Sequence, residues 1–227
     1  MQADFVDEIA RVGYHLMMQQ AATPTSQTVF VVDDDAGIRM SIDNLVRSVG
    51  YATSQYTSAL EFLNSGNYQQ PGCLLLDVRL PGMNGLEFQR VLTGKRVTMP
   101  IVFMTGHGDI PMSVRTMKAG AVDFLTKPFR EQDMLDALEA ALEKDRSFRA
   151  GQENVATARK RYDSLTSREQ EVLRMVVDGR MNKQIAFDLG ISEITVKIHR
   201  GNAIRKMAST SIPHLVKMVG SLDVVED

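Results

Sequence analysis

Four apolar runs of strand length, VFVV (29–32), CLLLD (73–77), IVFMT (101–105) and DFLTK (123–127), recur along the first part of the chain, with a more polar fifth, ATSQY, at 52–56. The four are continuous rather than alternating and carry β-branched or aromatic members. Strands buried on both faces of a parallel sheet read this way. Between the runs, Leu, Ile, Val and Met recur at three- and four-residue spacing, so the order is strand then helix, five times over. The expected architecture is α/β, a five-stranded parallel doubly wound sheet.

Each of the four apolar runs ends on, or just before, a chemically active residue. Together they supply Asp33, Asp34 and Asp35, then Asp77, Thr105 and Lys127. Ligands of such sheets collect at the carboxyl ends of the strands. Several carboxylates at one edge repel one another, and a bound cation or raised pKa values make the cluster tolerable. An oxygen-only set with few protein ligands suits Mg²⁺. Asp77 follows a buried run and points out of the strand end, as a carboxylate nucleophile must. Asp33 and Asp34 would hold the metal against it. A phosphoryl group on Asp77 would be neutralised by the cation on one side and by Lys127 and the Thr105 hydroxyl on the other. Lys127 precedes Pro128, and an X-Pro bond adopts cis at modest cost, a way to turn the lysine inward. Asp35 is expected in the first turn of the next helix, where an anion suits the helix dipole.

Taken singly, an Asp after a strand is often a cap, Lys-Pro a loop, and Thr105-Gly106 a turn. Their joint occurrence in order argues for a functional site. VVDDD, LLLDVRLPGMNG, MTGHGD and FLTKPF resemble the receiver domains of two-component response regulators, and TGHGDIPMSV with AGAVDFLTKPF resembles the FixJ branch. The resemblance covers about residues 27–147 and implies a flavodoxin-like receiver. It implies Asp77 as phosphoacceptor, with Asp33, Asp34, Asp77 and the Arg79 backbone carbonyl around Mg²⁺, Thr105 as switch hydroxyl and Lys127 as phosphate partner. Phe124 fills a position where relatives carry Tyr or Phe. Without a hydroxyl its swing would be driven by packing. Val114, Arg115 and Lys118, on a helix expected over 109–119, are implied as a phosphorylation-dependent dimer face.

With 227 residues the chain suits two small domains, and 44% hydrophobic with 24% charged residues is ordinary for a soluble protein. No apolar run has the length of a membrane span. The opening residues carry acids early and lack the basic start of a secretory signal. A cytoplasmic protein is expected. Phe5, Ile9, Val12 and Leu16 recur at helical spacing in an N-terminal extension, 1–26, unless translation starts at Met17 or Met18. One cysteine excludes an internal disulfide, and Cys73 reads as a small buried hydrophobe.

After Leu142 the composition turns charged and poor in large apolar residues. Residues 148–161 read as a linker, either flexible or continuing the preceding helix. Beyond it the pattern is helical. Thr166 with Glu169 forms a capping box ahead of Val172, Leu173 and Val176, and Gly179 stands where that helix would end. A short helix with Ile185, Ala186 and Leu189 inward then meets a turn at Gly190–Ser192, and Ser192 caps a longer helix. Two helices joined by a tight Gly-containing turn form a helix-turn-helix. Lys197, Arg200 and Lys206 load the second helix with positive charge, and such a helix can enter the major groove. Residues 166–220 hold nine Lys/Arg against five Asp/Glu, whereas residues 1–165 hold 17 against 20. That modest surplus points to binding that depends on half-site geometry and dimerisation.

The segment from Leu165 to Met207 resembles the LuxR-type helix-turn-helix of the NarL/FixJ family, so 162–227 is expected to be a small all-α DNA-binding domain. The resemblance implies Lys197, Ile198, Arg200 and Gly201 near base edges and backbone, Lys183 and Thr195 as phosphate contacts, and helix 212–220 as a dimerisation element. Gly201 costs about 1 kcal/mol of helix propensity, which suggests close approach to DNA or to another helix.

The joined halves describe a transcription factor and not an enzyme. A sensor histidine kinase would phosphorylate Asp77, and the homodimer would bind double-stranded promoter DNA and work with RNA polymerase to activate transcription. The FixJ-like detail suggests a nitrogen-fixation, nodulation or aromatic-catabolism programme. A phosphatase with an aspartyl intermediate would want an acid two residues after the nucleophile, where Arg79 stands. A phosphorylation-independent DNA-binding regulator, with the receiver as dimerisation scaffold, is the other rival.

Overall fold

The computed structural model describes residues 27–106, 114 and 116–223. The pattern expected in residues 1–26, and residues 109–113 and Arg115 of the helix expected over 109–119, lie outside the described residues. These form two compact units, with the boundary between Ser147 and Phe148.

The first unit holds five parallel strands, β1 (Thr28–Val32), β2 (Ala52–Tyr56), β3 (Gly72–Asp77), β4 (Ile101–Thr105) and β5 (Asp123–Thr126), in the order β2-β1-β3-β4-β5. β1, β3 and β4 are the inner strands, and β3 and β4 are buried throughout. ATSQY is polar because β2 is an edge strand, paired only with β1 and half open to solvent. Alternation along β1 splits the core. Phe30 and Val32 join Leu74, Leu76 and Phe103 on one face, beneath Phe62 of α2 (Ala59–Ser65) and Phe88 and Leu92 of α3 (Gly85–Gly94). Val29 and Val31 join Cys73, Leu75, Val102 and Met104 on the other. Ile42 and Val46 of α1 (Ala36–Ser48), and Met134, Leu138 and Leu142 of α4 (Glu131–Asp163), cover that second face. Residues 114 and 116–118 are helical, with Val114 and Lys118 exposed.

Asp35 is the N-cap of α1 rather than a first-turn residue. Its Oδ1 accepts from Gly37 N at 2.7 Å and Ile38 N at 3.0 Å, which satisfies two of the free N–H groups at the helix start. The segment read as a linker is helical, since α4 runs unbroken to Asp163. Its Ala, Arg, Gln and Glu residues are good helix formers, and one interior glycine does not outweigh them.

The second unit contains the last turns of α4, then α5 (Ser167–Val177), α6 (Asn182–Leu189), α7 (Glu193–Lys206) and α8 (Ile212–Asp223). Its core joins Ala158 and Tyr162 to Val172, Leu173, Ile185, Val196, Ala203, Met207, Leu215 and Val219. The Thr166–Glu169 capping box forms, and Gly179, at φ +79°, follows the end of α5. α6 ends on Gly190 at φ +63°, a left-handed conformation glycine adopts without penalty, and Ser192 Oγ accepts from Thr195 N at 3.1 Å to start α7. α6, this turn and α7 are the helix-turn-helix. Among the described residues no helix is long and apolar enough to cross a membrane.

Candidate functional site

Because β1 and β3 are paired, the residues at their ends are neighbours: Asp33 just past β1 and Asp77 closing β3. β4 and β5 continue the same edge and bring Thr105 and Lys127 to it. Asp33 is fully buried, Asp77 nearly so, and Asp34 exposed. One oxygen from each lies within 4.8 Å of the others. Lys127 Nζ donates to Asp33 Oδ2 and to Asp77 Oδ2, both at 2.5 Å. The Lys127 N–H donates to the Thr105 carbonyl at 2.6 Å, and the Lys127–Pro128 peptide is cis.

The electrostatics follow from this crowding. Burial pushes the Asp33 carboxyl above its ordinary 3.8, with Asp77 adding to the effect, while bonds from Lys127 and the Asp35 N–H oppose it. Burial works to lower the Lys127 ammonium, but its bonds to Asp33 and Asp77 outweigh that and hold it above 10.5. One lysine against three carboxylates leaves net negative charge at an oxygen-only site, a donor set that fits a hard divalent cation. A cleft of about 460 Å³, bordered by Asp34, Arg79 and Asn84, opens beside it.

Asp77 Oδ1 accepts from the Arg79 N–H at 2.8 Å, so the loop after β3 folds back over the carboxylate. Thr105 is buried at the same edge. Phe124 is half-buried, opposite Phe103 in the β4–β5 register, and packs on the core face that holds Phe62 and Phe88. Sequence reasoning missed Arg39. From α1 its Nη1 donates to the Asp33 carbonyl at 2.7 Å, whereas an arginine in a helix ordinarily reads as part of a solvated face.

In the second unit Lys183, Lys197 and Ile198 are exposed, Ile198 at 57%. Thr195 is half-buried, and its Oγ1 lies 2.8 Å from Ser192 Oγ in the α7 cap. Arg200 is half-buried and donates to Asn182 Oδ1 at 2.9 Å, so part of its fork already braces α6 against α7. Lys206 does not load the recognition surface as expected. Its Nζ donates at 2.6 Å to Glu169, whose buried carboxylate needs a cation. A Cβ on Gly201 would meet nothing within 4 Å, so among the described residues no other helix approaches it. His199 is half-buried, and Phe187 of α6 stands 88% exposed, which its sequence context did not signal.

A doubly wound parallel sheet with this acid and lysine edge, followed in the chain by a helix-turn-helix, defines a two-domain regulator of the receiver and DNA-binding class. Residues 29–139 match the response regulator receiver domain, and residues 163–219 match the luxR family of bacterial regulatory proteins. The chain belongs to the response regulators of the NarL/FixJ type, with a receiver and a LuxR-type DNA-binding domain. It is 50% identical over 200 residues to Nodulation protein W of Bradyrhizobium diazoefficiens, covering 88% of each chain. It is 44% identical over 197 residues to Transcriptional regulatory protein FixJ of Azorhizobium caulinodans, covering 86% of this chain and 92% of that one. The solved response regulator StyR superposes with a TM-score of 0.76 at 48% identity, over 86% of this chain and 99% of that one. Of these relatives FixJ is a transcriptional regulatory protein and StyR a response regulator.

Proposed function

We propose that this chain is switched by phosphorylation of Asp77 and then binds promoter DNA as a homodimer to activate transcription. The observation that carries the reading is the shared lysine, with Lys127 Nζ 2.5 Å from both Asp77 and the buried Asp33. A carboxylate so placed is held at a strand end with its counter-charge in position and a cleft beside it for the donor.

In the transfer, an Asp77 carboxylate oxygen attacks the phosphorus of a phosphohistidine on a sensor histidine kinase. The new P–O bond forms as the P–N bond breaks, and the imidazole leaves with the electron pair and takes a proton. Mg²⁺, held by Asp33, Asp34, Asp77 and the Arg79 carbonyl, would neutralise charge on the phosphoryl oxygens. Lys127 exchanges its bond to Asp77 for one to a phosphoryl oxygen, and the Thr105 hydroxyl donates to another. Phe124 repacks as Thr105 moves, and the surface bearing Val114, Arg115 and Lys118 becomes the dimer face. Two copies of α7 then meet successive major grooves, about 34 Å apart on one side of the duplex. Lys183 and Thr195 meet phosphates, and Lys197, Ile198, Arg200 and Gly201 meet base edges and backbone. The protein acts in the cytoplasm and works with RNA polymerase. By analogy with its relatives, the regulated programme is nodulation or a similar inducible pathway.

The test compares wild type with Asp77→Asn, each with Mg²⁺ and acetyl phosphate. Sedimentation reads the dimer, and gel shifts on duplexes selected from a random library read DNA binding. Dimerisation and tighter binding in wild type alone are expected. Equal binding by both proteins sinks the reading and leaves the receiver as a scaffold.

A further inference from the structure

We propose that Arg39 is a positioning residue for the acidic cluster, aiming the Asp34 carboxylate so that Asp33, Asp34 and Asp77 present a preformed site for a divalent cation. The inference rests on the reading of these acids as a Mg²⁺ site.

The polar atoms of Asp33 are all held. Its N–H donates to the Tyr56 carbonyl at 3.2 Å, its Oδ1 accepts from Asp35 N at 3.0 Å, its Oδ2 accepts from Lys127, and its carbonyl accepts from Arg39 Nη1 at 2.7 Å. The last of these bonds acts beyond Asp33 itself. The Asp33 carbonyl shares a rigid peptide plane with the Asp34 N–H and Cα, so holding that oxygen fixes where the Asp34 Cα sits and leaves only the torsions of Asp34 itself to aim its carboxylate. Asp34 is the exposed member of the trio, and among the described residues no hydrogen bond holds its carboxylate. Its approach to Asp33 and Asp77 therefore depends on where the backbone holds its Cα. Arg39 is well anchored for the task, since its own N–H donates to the Asp35 carbonyl at 3.1 Å and Asp35 caps the same helix. The loop from Asp33 to Asp35 is thus closed against α1 by one side chain reaching back across it.

Two effects of Arg39 oppose each other. Its positive charge repels an incoming cation, whereas its hydrogen bond organises the ligands. The guanidinium is half-exposed and screened, while the carbonyl bond is short and well placed, so geometry dominates.

The test titrates Mg²⁺ into the full chain, following the thermal midpoint of the receiver and the heat of binding, for wild type, Arg39→Ala and Arg39→Lys. Urea midpoints in EDTA are measured alongside. Arg39→Ala is expected to weaken Mg²⁺ binding about tenfold, the usual scale for removing a group that orients a ligand. Lysine at 39, still able to donate to the carbonyl, is expected to recover most of the affinity. Unchanged or tighter Mg²⁺ binding by Arg39→Ala overturns the proposal. If the alanine variant also loses stability in EDTA, the lysine variant decides: recovered affinity supports positioning, and affinity as weak as alanine's overturns it. Absence of Mg²⁺ binding by wild type would instead refute the reading of the cluster, an outcome distinct from wild-type binding that Arg39→Ala matches.

Discussion

Glu169 and Lys206 lie 37 residues apart and meet at 2.6 Å, tying the capping box at the start of α5 to the last turn of α7. The carboxylate is buried and the ammonium partly exposed. The bond from Lys206, with a second from the Thr166 N–H, holds the Glu169 carboxyl below its ordinary 4.5. A carboxyl lowered on folding adds stability that is present above its unfolded value and is lost as pH falls through the folded one. The helix-turn-helix unit is therefore expected to lose part of its stability as pH drops below about 4.5. Lys206→Met should flatten that acid limb and cost about 1–2 kcal/mol, since it leaves a buried carboxylate without its cation. Urea denaturation followed across pH 3–7 would show both, and an unchanged acid limb would count against the pair.

Lys127 makes a comparable contribution in the receiver, where its side chain and both carboxylate partners are largely buried. Lys127→Met should lower the stability of the metal-free protein by about 3 kcal/mol, because two buried anions are left together. Added Mg²⁺ should recover part of the loss. Equal urea midpoints for the two proteins in EDTA would refute this.

Gly72 opens β3 at φ +148°, and a Cβ there would lie 1.9 Å from the Thr28 carbonyl oxygen. Gly72→Ala should cost about 3 kcal/mol or more, since neither backbone can yield without parting β1 from β3. A urea midpoint within error of wild type would show that the sheet relaxes more easily than this contact implies.

Gly201 is the opposite case, in a helix interior with open space around it. Gly201→Ala should stabilise the DNA-binding unit by about 0.5–1 kcal/mol. If the glycine is there to let DNA approach, the same variant binds selected duplexes more weakly. Stabilisation without loss of binding would remove Gly201 from the interface.

The strand ends could be read in advance because each active residue follows a run whose burial is unambiguous, and a parallel sheet delivers those ends to one edge. The partners of polar side chains within helices were less accessible. Arg39 carries no signal that it turns back to the Asp33 carbonyl, and Lys206 looks like any other cation on α7. Their partners are chosen by tertiary packing, which leaves no periodicity. The same holds for Asp145 on α4, buried where it accepts from Gly72 N at 2.9 Å and from Gln27 Nε2 at 3.1 Å. The helical linker was undecided for another reason. Helix propensity in a charged segment is a weak prior until both of its ends are anchored.

Cys73 lies at 0% exposure within the central strand, and burial, with Asp145 adding to it, pushes its thiol far above the ordinary range. A thiolate forms there only when the sheet opens, so a thiol-reactive dye would mark receivers that have come apart and pass over intact ones. The chain's single thiol thus serves as an internal clock, and the rate at which it is labelled counts openings of β3.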